Sequence, residues 1–131
     1  MKYLLDTNIC IHFLKGEYGL NEKFERIGND EFSISEITVA ELLYGAENSQ
    51  NINKNLMIVN EFIDNILILP IFSSLRIYAK EKARLRSIGK LISDFDLLIG
   101  ATALANDLII VTRNVKEFKR LRDIKYENWI D

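Results

Sequence analysis

Short apolar runs alternate with longer amphipathic segments along the chain, and Gly, Pro or a helix-capping residue separates most of them. Short continuous apolar runs are typical of buried strands, whereas apolar residues three or four positions apart are typical of helices. The pattern predicts strands at residues 3–5, 32–34, 66–69, 108–111 and 124–129. It predicts helices at residues 8–14, 20–27, 35–47, 52–65, 73–88, 93–105 and 115–121.

This alternation predicts an α/β fold in a single domain spanning residues 1–131, with three layers and a mainly parallel sheet. The predicted strands are continuously apolar, as expected when helices cover both faces of the sheet. In such sheets ligands bind beyond the carboxyl ends of the strands. Polar residues that directly follow a strand are therefore the first candidates for a functional site.

The composition is that of one folded globular domain, with 131 residues of which 48% are hydrophobic and 27% charged. The single cysteine, Cys10, excludes an intrachain disulfide, and the single histidine, His12, excludes a metal site built on a histidine pair. Both are expected to be packing or surface residues. No apolar run is long enough for a membrane span and no signal-peptide pattern is present, so a cytoplasmic protein without membrane association is expected.

The net charge of −2 hides an uneven distribution of charged residues. Residues 1–75 hold five basic and eleven acidic side chains, whereas residues 76–125 hold twelve basic and six acidic ones. A basic half in a near-neutral chain favours phosphate binding, and Arg84, Arg86 and Arg113 are candidates for contacting a phosphate backbone. The alternative is that each basic stretch is an ordinary solvated helix face.

Two acidic residues in the first half of the chain are candidates for a functional site. Asp6 directly follows the first predicted strand, although it is equally well explained as the N-cap of the next helix. Glu41 is the only charged residue between positions 37 and 44, so its helix is expected to be largely buried. A buried carboxylate needs a cation or a proton, so Glu41 belongs either to a charged site or to a pair with Arg or Lys.

The second half of the chain contributes further acidic candidates. Ser93 and Asp96 have the spacing of a helix-start capping box, and Asp94 lies between them. Residues two apart on a helix do not share a face, so Asp96, which precedes the apolar run 97–99, is expected to be the inward one. Asn114 follows the strand at 108–111, where it is either a site residue or another helix cap, and Glu117 lies one turn further on.

Convergence of Asp6, Glu41 and Asp96 would require a counter-charge. Two like charges ~4 Å apart repel by ~4 kcal/mol at an effective dielectric of about 20. A divalent cation removes this repulsion, and carboxylate oxygens without His or Cys favour Mg²⁺, Mn²⁺ or Ca²⁺ over Zn²⁺. An acidic metal site beside basic helices is typical of phosphodiester cleavage.

Four segments resemble, in order and spacing, the motifs of the PIN domain and, within that family, of the VapC toxins of toxin–antitoxin pairs. They are YLLDTN (residues 3–8), ITVAELLYG (37–45), DLLIGA (96–101) and VTRNVKEF (111–118). The resemblance covers essentially the whole chain. It implies a Rossmann-like α/β/α fold with about five mainly parallel strands, and a Mg²⁺-dependent endoribonuclease that also uses Mn²⁺.

The same resemblance implies roles for individual residues. The family's catalytic acids fall at Asp6, Glu41 and Asp96. Asp6 and Asp96 would hold the metal ion. A fourth acidic position, which varies in the family, falls at Asn114, and Glu117 or Asp94 is left to compensate. The positions that support the site through hydrogen bonds are Thr7, Asn8 and Thr38.

The resemblance also implies partners. Members of the family form homodimers, and a small VapB-like antitoxin silences them, in some cases within a larger toxin–antitoxin hetero-oligomer. The RNA substrate would be held by Arg84, Arg86 and Arg113. A degenerate PIN domain that binds RNA or a partner without cleavage is the alternative, because Asn114 replaces an acid. A phosphatase of the haloacid-dehalogenase type is disfavoured, because it needs a second Asp where this chain has Asn8.

Overall fold

A five-stranded parallel sheet flanked by seven helices forms the fold in the computed structural model, which describes residues 1–131. The strands are β1 (Tyr3–Leu5), β2 (Phe32–Ser35), β3 (Leu67–Leu69), β4 (Ile109–Val111) and β5 (Lys125–Glu127). The helices are α1 (Thr7–Leu14), α2 (Leu20–Ile27), α3 (Glu36–Glu47), α4 (Ile52–Asp64), α5 (Leu75–Ser87), α6 (Asp94–Ala105) and α7 (Val115–Phe118). The predicted order of elements and the predicted parallel sheet are confirmed.

The strand order is β3-β2-β1-β4-β5, with every neighbouring pair parallel. The first strand therefore lies at the centre, where Tyr3 pairs with Phe32 on one side and Leu5 pairs with Val111 on the other. Because all strands point the same way, the residues that follow β1, β2 and β4 meet at one edge of the sheet. The strand order reverses between β1 and β4. The carboxyl edge of an open α/β sheet at such a reversal is the usual place for a ligand site.

Alternate side chains of the central strand pack into two separate apolar cores, one on each face of the sheet. Tyr3 and Leu5 face the core formed with α1 to α4, whereas Leu4 faces the core formed with α5 to α7. The core beside α1 and α2 contains a group of aromatic rings, in which Phe24 stacks on Phe32 with ring centroids 4.5 Å apart. Because both cores pack against β1, they fix the position of Asp6, the residue that follows this strand.

Two short turns of 3₁₀ helix, Asn29–Glu31 and Phe72–Ser74, were not visible in the apolar pattern. Helix α7 also ends at Phe118, earlier than the predicted residue 121. The chain continues in a turn, in which the N–H groups of Arg120 and Leu121 donate to the carbonyls three residues earlier, at 3.2 and 3.0 Å. The next N–H group, that of Arg122, donates to Glu81 at 2.7 Å. The longest helices contain 13 residues, and none has the length and apolar character needed to cross a bilayer.

Candidate active site

Asp6 lies directly after β1 and is also the N-cap of α1, so the capping role is confirmed, and the same residue lies at the carboxyl end of the central strand. Its Oδ1 accepts a hydrogen bond from the Thr7 N–H at 2.8 Å, and its Oδ2 accepts one from Thr112 Oγ1 at 2.9 Å. Only 4% of the residue is exposed. The two hydrogen bonds fix the direction of the carboxylate, which is the requirement for a preorganised ligand.

Thr112 is a site residue that sequence reasoning missed. It follows β4 directly, and its hydroxyl accepts from the Asn114 N–H at 2.8 Å while donating to Asp6. The hint in the sequence is its place at the end of a strand, but only the pairing of β4 with β1 brings it to Asp6. Asn114 contributes to this hydrogen-bond network through its backbone N–H.

Glu41 projects from α3 toward the first turn of α1. Its Oε1 accepts a hydrogen bond from Thr7 Oγ1 at 2.6 Å, and a further hydrogen bond of 3.0 Å joins the hydroxyls of Thr7 and Thr38. The predicted supporting positions Thr7 and Thr38 therefore both contact the acidic site. The prediction of a largely buried helix is wrong, because only Ile37, Thr38, Leu42 and Ala46 of α3 are buried, and Glu41 itself is half-buried beside the open cleft.

Asp96 lies in the first turn of α6, and its backbone N–H donates to Ser93 Oγ at 3.2 Å. The Ser93 side chain therefore caps the helix as the spacing predicted. The Asp96 carboxylate is half-buried, and the negative charges of Glu41 and Glu117 act on it. Glu117 does not line the cleft, and it lies 3.8 Å from Arg120, so it acts on Asp96 only through its charge.

The surroundings of Asp6 and Asp96 disfavour the ionised form of these two carboxyl groups. Burial raises the pKa of Asp6 to about 6, hydrogen bonding from Thr112 opposes the rise, and the charges of Asp96 and Glu41 add to it. Burial also raises the pKa of Asp96, to which Glu41 and Glu117 contribute. The ion pairs of the protein do not include Asp6, Glu41 or Asp96. The cluster therefore carries negative charge without a protein cation.

The carboxylates line an open cleft of about 620 Å³ at the carboxyl edge of the sheet. Asn8 lies in the wall of this cleft, and the apolar part of the lining comes from Ile11, Ala40, Tyr44 and Phe95. In the side-chain positions of the structure, no group of three or more acidic, His or Cys residues surrounds a single point closely enough to hold a metal ion. A metal here would take few direct protein ligands.

Asp94 does not join the cluster. Its carboxylate accepts a hydrogen bond from the Tyr78 hydroxyl at 2.9 Å and forms an ion pair with Lys82 at 2.8 Å, both on α5. Asp94 and Asp96 therefore point to different sides of α6, as their spacing predicted.

The three basic candidates have different surroundings. Arg86 is exposed on α5. Arg113 is exposed beyond β4, where it pairs with Asp131 at 3.2 Å and donates to the Tyr18 hydroxyl at 3.2 Å. Arg84 is engaged within the protein, since it makes two hydrogen bonds of 2.8 and 2.7 Å to Glu81.

Arg84 and Glu81 link α5 to the segment after α7. Glu81 is 7% exposed and also accepts the Arg122 N–H, while Arg84 donates to the Arg120 carbonyl at 2.8 Å. This pair holds the backbone of residues 120–122, so the structure favours a structural role for Arg84 over contact with a phosphate backbone.

Replacing Arg84 by Met should lower the free energy of unfolding by about 2 kcal/mol, because it leaves Glu81 nearly buried without its cation. The measurement is urea unfolding followed by circular dichroism. Arg86→Met on the same helix is the matched control, and it should stay within about 0.5 kcal/mol of the wild type. Equal effects of the two substitutions would contradict the structural role.

Cys10 and His12 lie outside the cluster, as expected. Cys10 is fully buried in the core beside α1, and burial raises the pKa of its thiol. The His12 Nδ1 lies 2.9 Å from Glu17 Oε1. The His12 ring makes a T-shaped contact with the Tyr18 ring, with the ring centroids 4.9 Å apart. The charge of Asp6 adds to the rise in the pKa of the Cys10 thiol, whereas the His12 ring contacts Glu17 and Tyr18.

Comparison with known proteins agrees with this fold. The sequence matches the PIN domain over residues 3–124, and the chain belongs to the PIN-domain family.

Its relatives within that family are VapC ribonucleases. The tRNA(fMet)-specific endonuclease VapC of Shigella flexneri is 34% identical over 131 residues and is aligned over 98% of both chains. Ribonuclease VapC2 of Haemophilus influenzae is 36% identical, with 99% of both chains aligned. The toxin in the DNA-bound VapBC structure from Salmonella typhimurium superposes with a TM-score of 0.91 at 33% identity over 98% of both chains. VapBC2 of Rickettsia felis, bound to a promoter fragment, gives a TM-score of 0.89 at 31% identity over 98% of this chain and 99% of that one.

Proposed function

We propose that this chain is the endoribonuclease toxin of a type II toxin–antitoxin pair and that it hydrolyses RNA phosphodiester bonds at the cleft of Asp6, Glu41 and Asp96. The observation that carries the proposal is the buried, hydrogen-bonded Asp6 beside two further carboxylates in an open cleft without a protein cation. The full-length similarity to VapC ribonucleases supports the same conclusion.

The donor set fits Mg²⁺, with Mn²⁺ as the alternative. It consists of hard carboxylate oxygens without nitrogen or sulfur, and it carries excess negative charge. Asp6 and Asp96 would hold the ion, with waters in the other positions, since Mg²⁺ commonly keeps several waters. When bound, the ion supplies charge stabilisation at the phosphate and activation of water.

The protein's own groups position the site. Thr112 and the Thr7 N–H orient Asp6, and the Thr7 hydroxyl orients Glu41. Glu41 is thereby placed to accept a hydrogen bond from the attacking water. We assign the additional acidic role to Glu117, because its charge acts on Asp96, whereas no such effect links Asp94 to Asp96. Glu117 has a long ion pair of 3.8 Å with Arg120, and Asp94 has a close one of 2.8 Å with Lys82.

The first test is cleavage of total tRNA, chosen because a relative is named as a tRNA(fMet)-specific endonuclease. Cleavage should require Mg²⁺ or Mn²⁺, and excess EDTA should reduce it about a thousandfold, since metal-ion stabilisation of the transition state is worth several kcal/mol. Restored cleavage after adding back Mg²⁺ is the control for damage by EDTA. Undiminished cleavage in EDTA would contradict the metal mechanism, and RNA binding without cleavage would favour the degenerate PIN domain.

We propose that an antitoxin segment follows a groove that opens from the cleft. Ile11 and Glu41 also line a second cavity of about 400 Å³. Leu14 and Ile58 join that cavity to a third one of about 410 Å³, which Phe13 also lines. The groove is largely apolar and ends at carboxylates, so it fits an amphipathic helix followed by an Arg that pairs bidentately with a carboxylate. Solved relatives are VapBC complexes.

The cognate antitoxin should inhibit cleavage, and replacing its inserted Arg by Ala should weaken inhibition about a hundredfold, the usual effect of breaking a desolvated charge pair. Inhibition constants at several Mg²⁺ concentrations should rise with Mg²⁺, because the Arg and the ion compete for the same carboxylates. Equal inhibition of cleavage at all Mg²⁺ concentrations would contradict direct occupation of the cleft. The homodimer and a larger toxin–antitoxin assembly stay predictions.

A further inference from the structure

Two aromatic side chains are exposed at the rim of the acidic cleft. Tyr44 is 69% exposed and Phe95 is 48% exposed, and both line the cleft that contains the carboxylates. By contrast, Phe24, Phe32 and Trp129 pack against one another inside the protein. An exposed aromatic ring loses its unfavourable contact with water when a partner covers it. The position of these two rings indicates that the partner enters the cleft.

Each ring is close to a carboxylate along its own helix. Tyr44 follows Glu41 by three residues on α3, so the two side chains lie on the same face of the helix, with Cβ atoms about 5–6 Å apart. Phe95 directly precedes Asp96 in the first turn of α6. A phosphate bound at the carboxylates would therefore have its neighbouring nucleosides next to the rings.

We propose that Tyr44 and Phe95 stack on unpaired nucleobases beside the scissile phosphate and thereby determine which RNA positions are cut. This inference rests on the proposed ribonuclease function. Aromatic stacking is the usual means of holding unpaired bases, and it tolerates every base because each has a π face. The rings would therefore require an unstacked strand at the cut, whereas the carboxylates act on the phosphate.

A protein partner is the less suitable occupant of these two rings. The apolar groove that leads away from the cleft is lined by Ile11, Leu42 and Val59, and neither Tyr44 nor Phe95 belongs to its lining. The rings are part of the cleft alone. They are aromatic and stand beside carboxylates, a combination that suits a nucleoside attached to a phosphate.

The experiment measures kcat/KM for a pool of single-stranded RNAs of about 16 nucleotides with randomised sequence, a length at the upper end of common binding-site sizes. Tyr44→Leu and Phe95→Leu keep apolar bulk and remove the aromatic face. Each should lower kcat/KM about tenfold, which is about 1.4 kcal/mol. Tyr44→Phe should keep most of the wild-type kcat/KM because it keeps the aromatic ring. Phe72→Leu is the control, since Phe72 is 84% exposed but lies outside the cleft, and it should cleave like the wild type.

A second measurement separates stacking from a general structural role. The most rapidly cut sequence of the pool is remade with the base removed on one side of the cut, and then on the other. With the wild type, removing either base should lower kcat/KM about tenfold. With Tyr44→Leu, removing one of the two bases should lower kcat/KM almost no further, because the ring that stacks on that base is already absent. With Phe95→Leu, the same should hold for the other base. The affinity for Mn²⁺ should be unchanged in both variants.

The outcomes distinguish this inference from the function on which it rests. If the wild type cleaves RNA, Asp96→Asn does not, and the two leucine variants cleave like the wild type, the stacking role is overturned and the ribonuclease stands. Leucine variants that change only inhibition by the antitoxin would also overturn it, since the rings would then contact the protein partner. A wild type that cleaves no RNA overturns both.

Discussion

Replacing Asp6 or Asp96 by Asn is expected to lower RNA cleavage about a thousandfold or more, because each change removes one of the two ligands through which metal-ion catalysis is proposed to act. The Asn side chain has nearly the same shape as Asp, so the N-cap of α1 and the hydrogen bond from the Thr7 N–H are retained. The measurement is the single-turnover rate of tRNA cleavage at saturating Mg²⁺.

His12→Ala and Asp94→Asn are the matched controls for this loss. Neither residue faces the carboxylates, since His12 contacts Glu17 and Asp94 contacts Lys82. Both variants should keep most of the wild-type rate. A folded His12→Ala protein without activity would indicate a general base that the site described here does not contain.

The same Asp6→Asn change is expected to stabilise the metal-free protein at pH 8 by about 2 kcal/mol, equivalent to about 8 °C in melting temperature. The pKa of Asp6 is about 6 in the folded protein, against about 3.9 in an unfolded chain. Two pKa units correspond to about 3 kcal/mol, from which about 1 kcal/mol is subtracted for the weakened hydrogen bond with Thr112.

The sign of this effect depends on pH. A carboxyl group with a raised pKa favours folding when it is protonated, so its contribution is fully present below about pH 4 and is lost as the pH rises through about 6. Asp6→Asn should therefore be neutral or slightly destabilising at pH 4 and stabilising at pH 8. Calorimetry at the two pH values without metal tests this change of sign.

Metal binding supplies an independent check of that prediction. Excess Mn²⁺ at pH 8 should raise the melting temperature of the wild type, because the ion binds the folded state, and should have little effect on Asp6→Asn. Equal stabilisation of both proteins by Mn²⁺ would show that the ion binds elsewhere. An Asp6→Asn protein that is less stable than the wild type at both pH values would show that hydrogen bonding to Asp6 outweighs the cost of burying its charge.

Local signals in the sequence were sufficient for the fold class, and they also indicated the three carboxylates that the structure brings to one cleft. Apolar runs, caps and glycines follow from interactions within a few residues, so they predicted the order of helices and strands. A parallel sheet brings the ends of its strands to one edge, and this rule alone made Asp6 a candidate. Glu41 was visible as a lone charge in an apolar helix, and Asp96 as the inward member of a spaced pair.

The partners of these residues were decided by tertiary structure. Thr112 is 106 positions from Asp6, and the two meet because β4 is paired with β1 and not with another strand. Arg84 and Glu81 are one turn apart on α5, so their pairing is local, but the contacts of this pair with the backbone of residues 120–122 depend on how the segment after α7 packs on α5. Residue type and spacing encode periodicity and local capping, whereas the choice among many chemically suitable distant partners depends on the simultaneous packing of both cores.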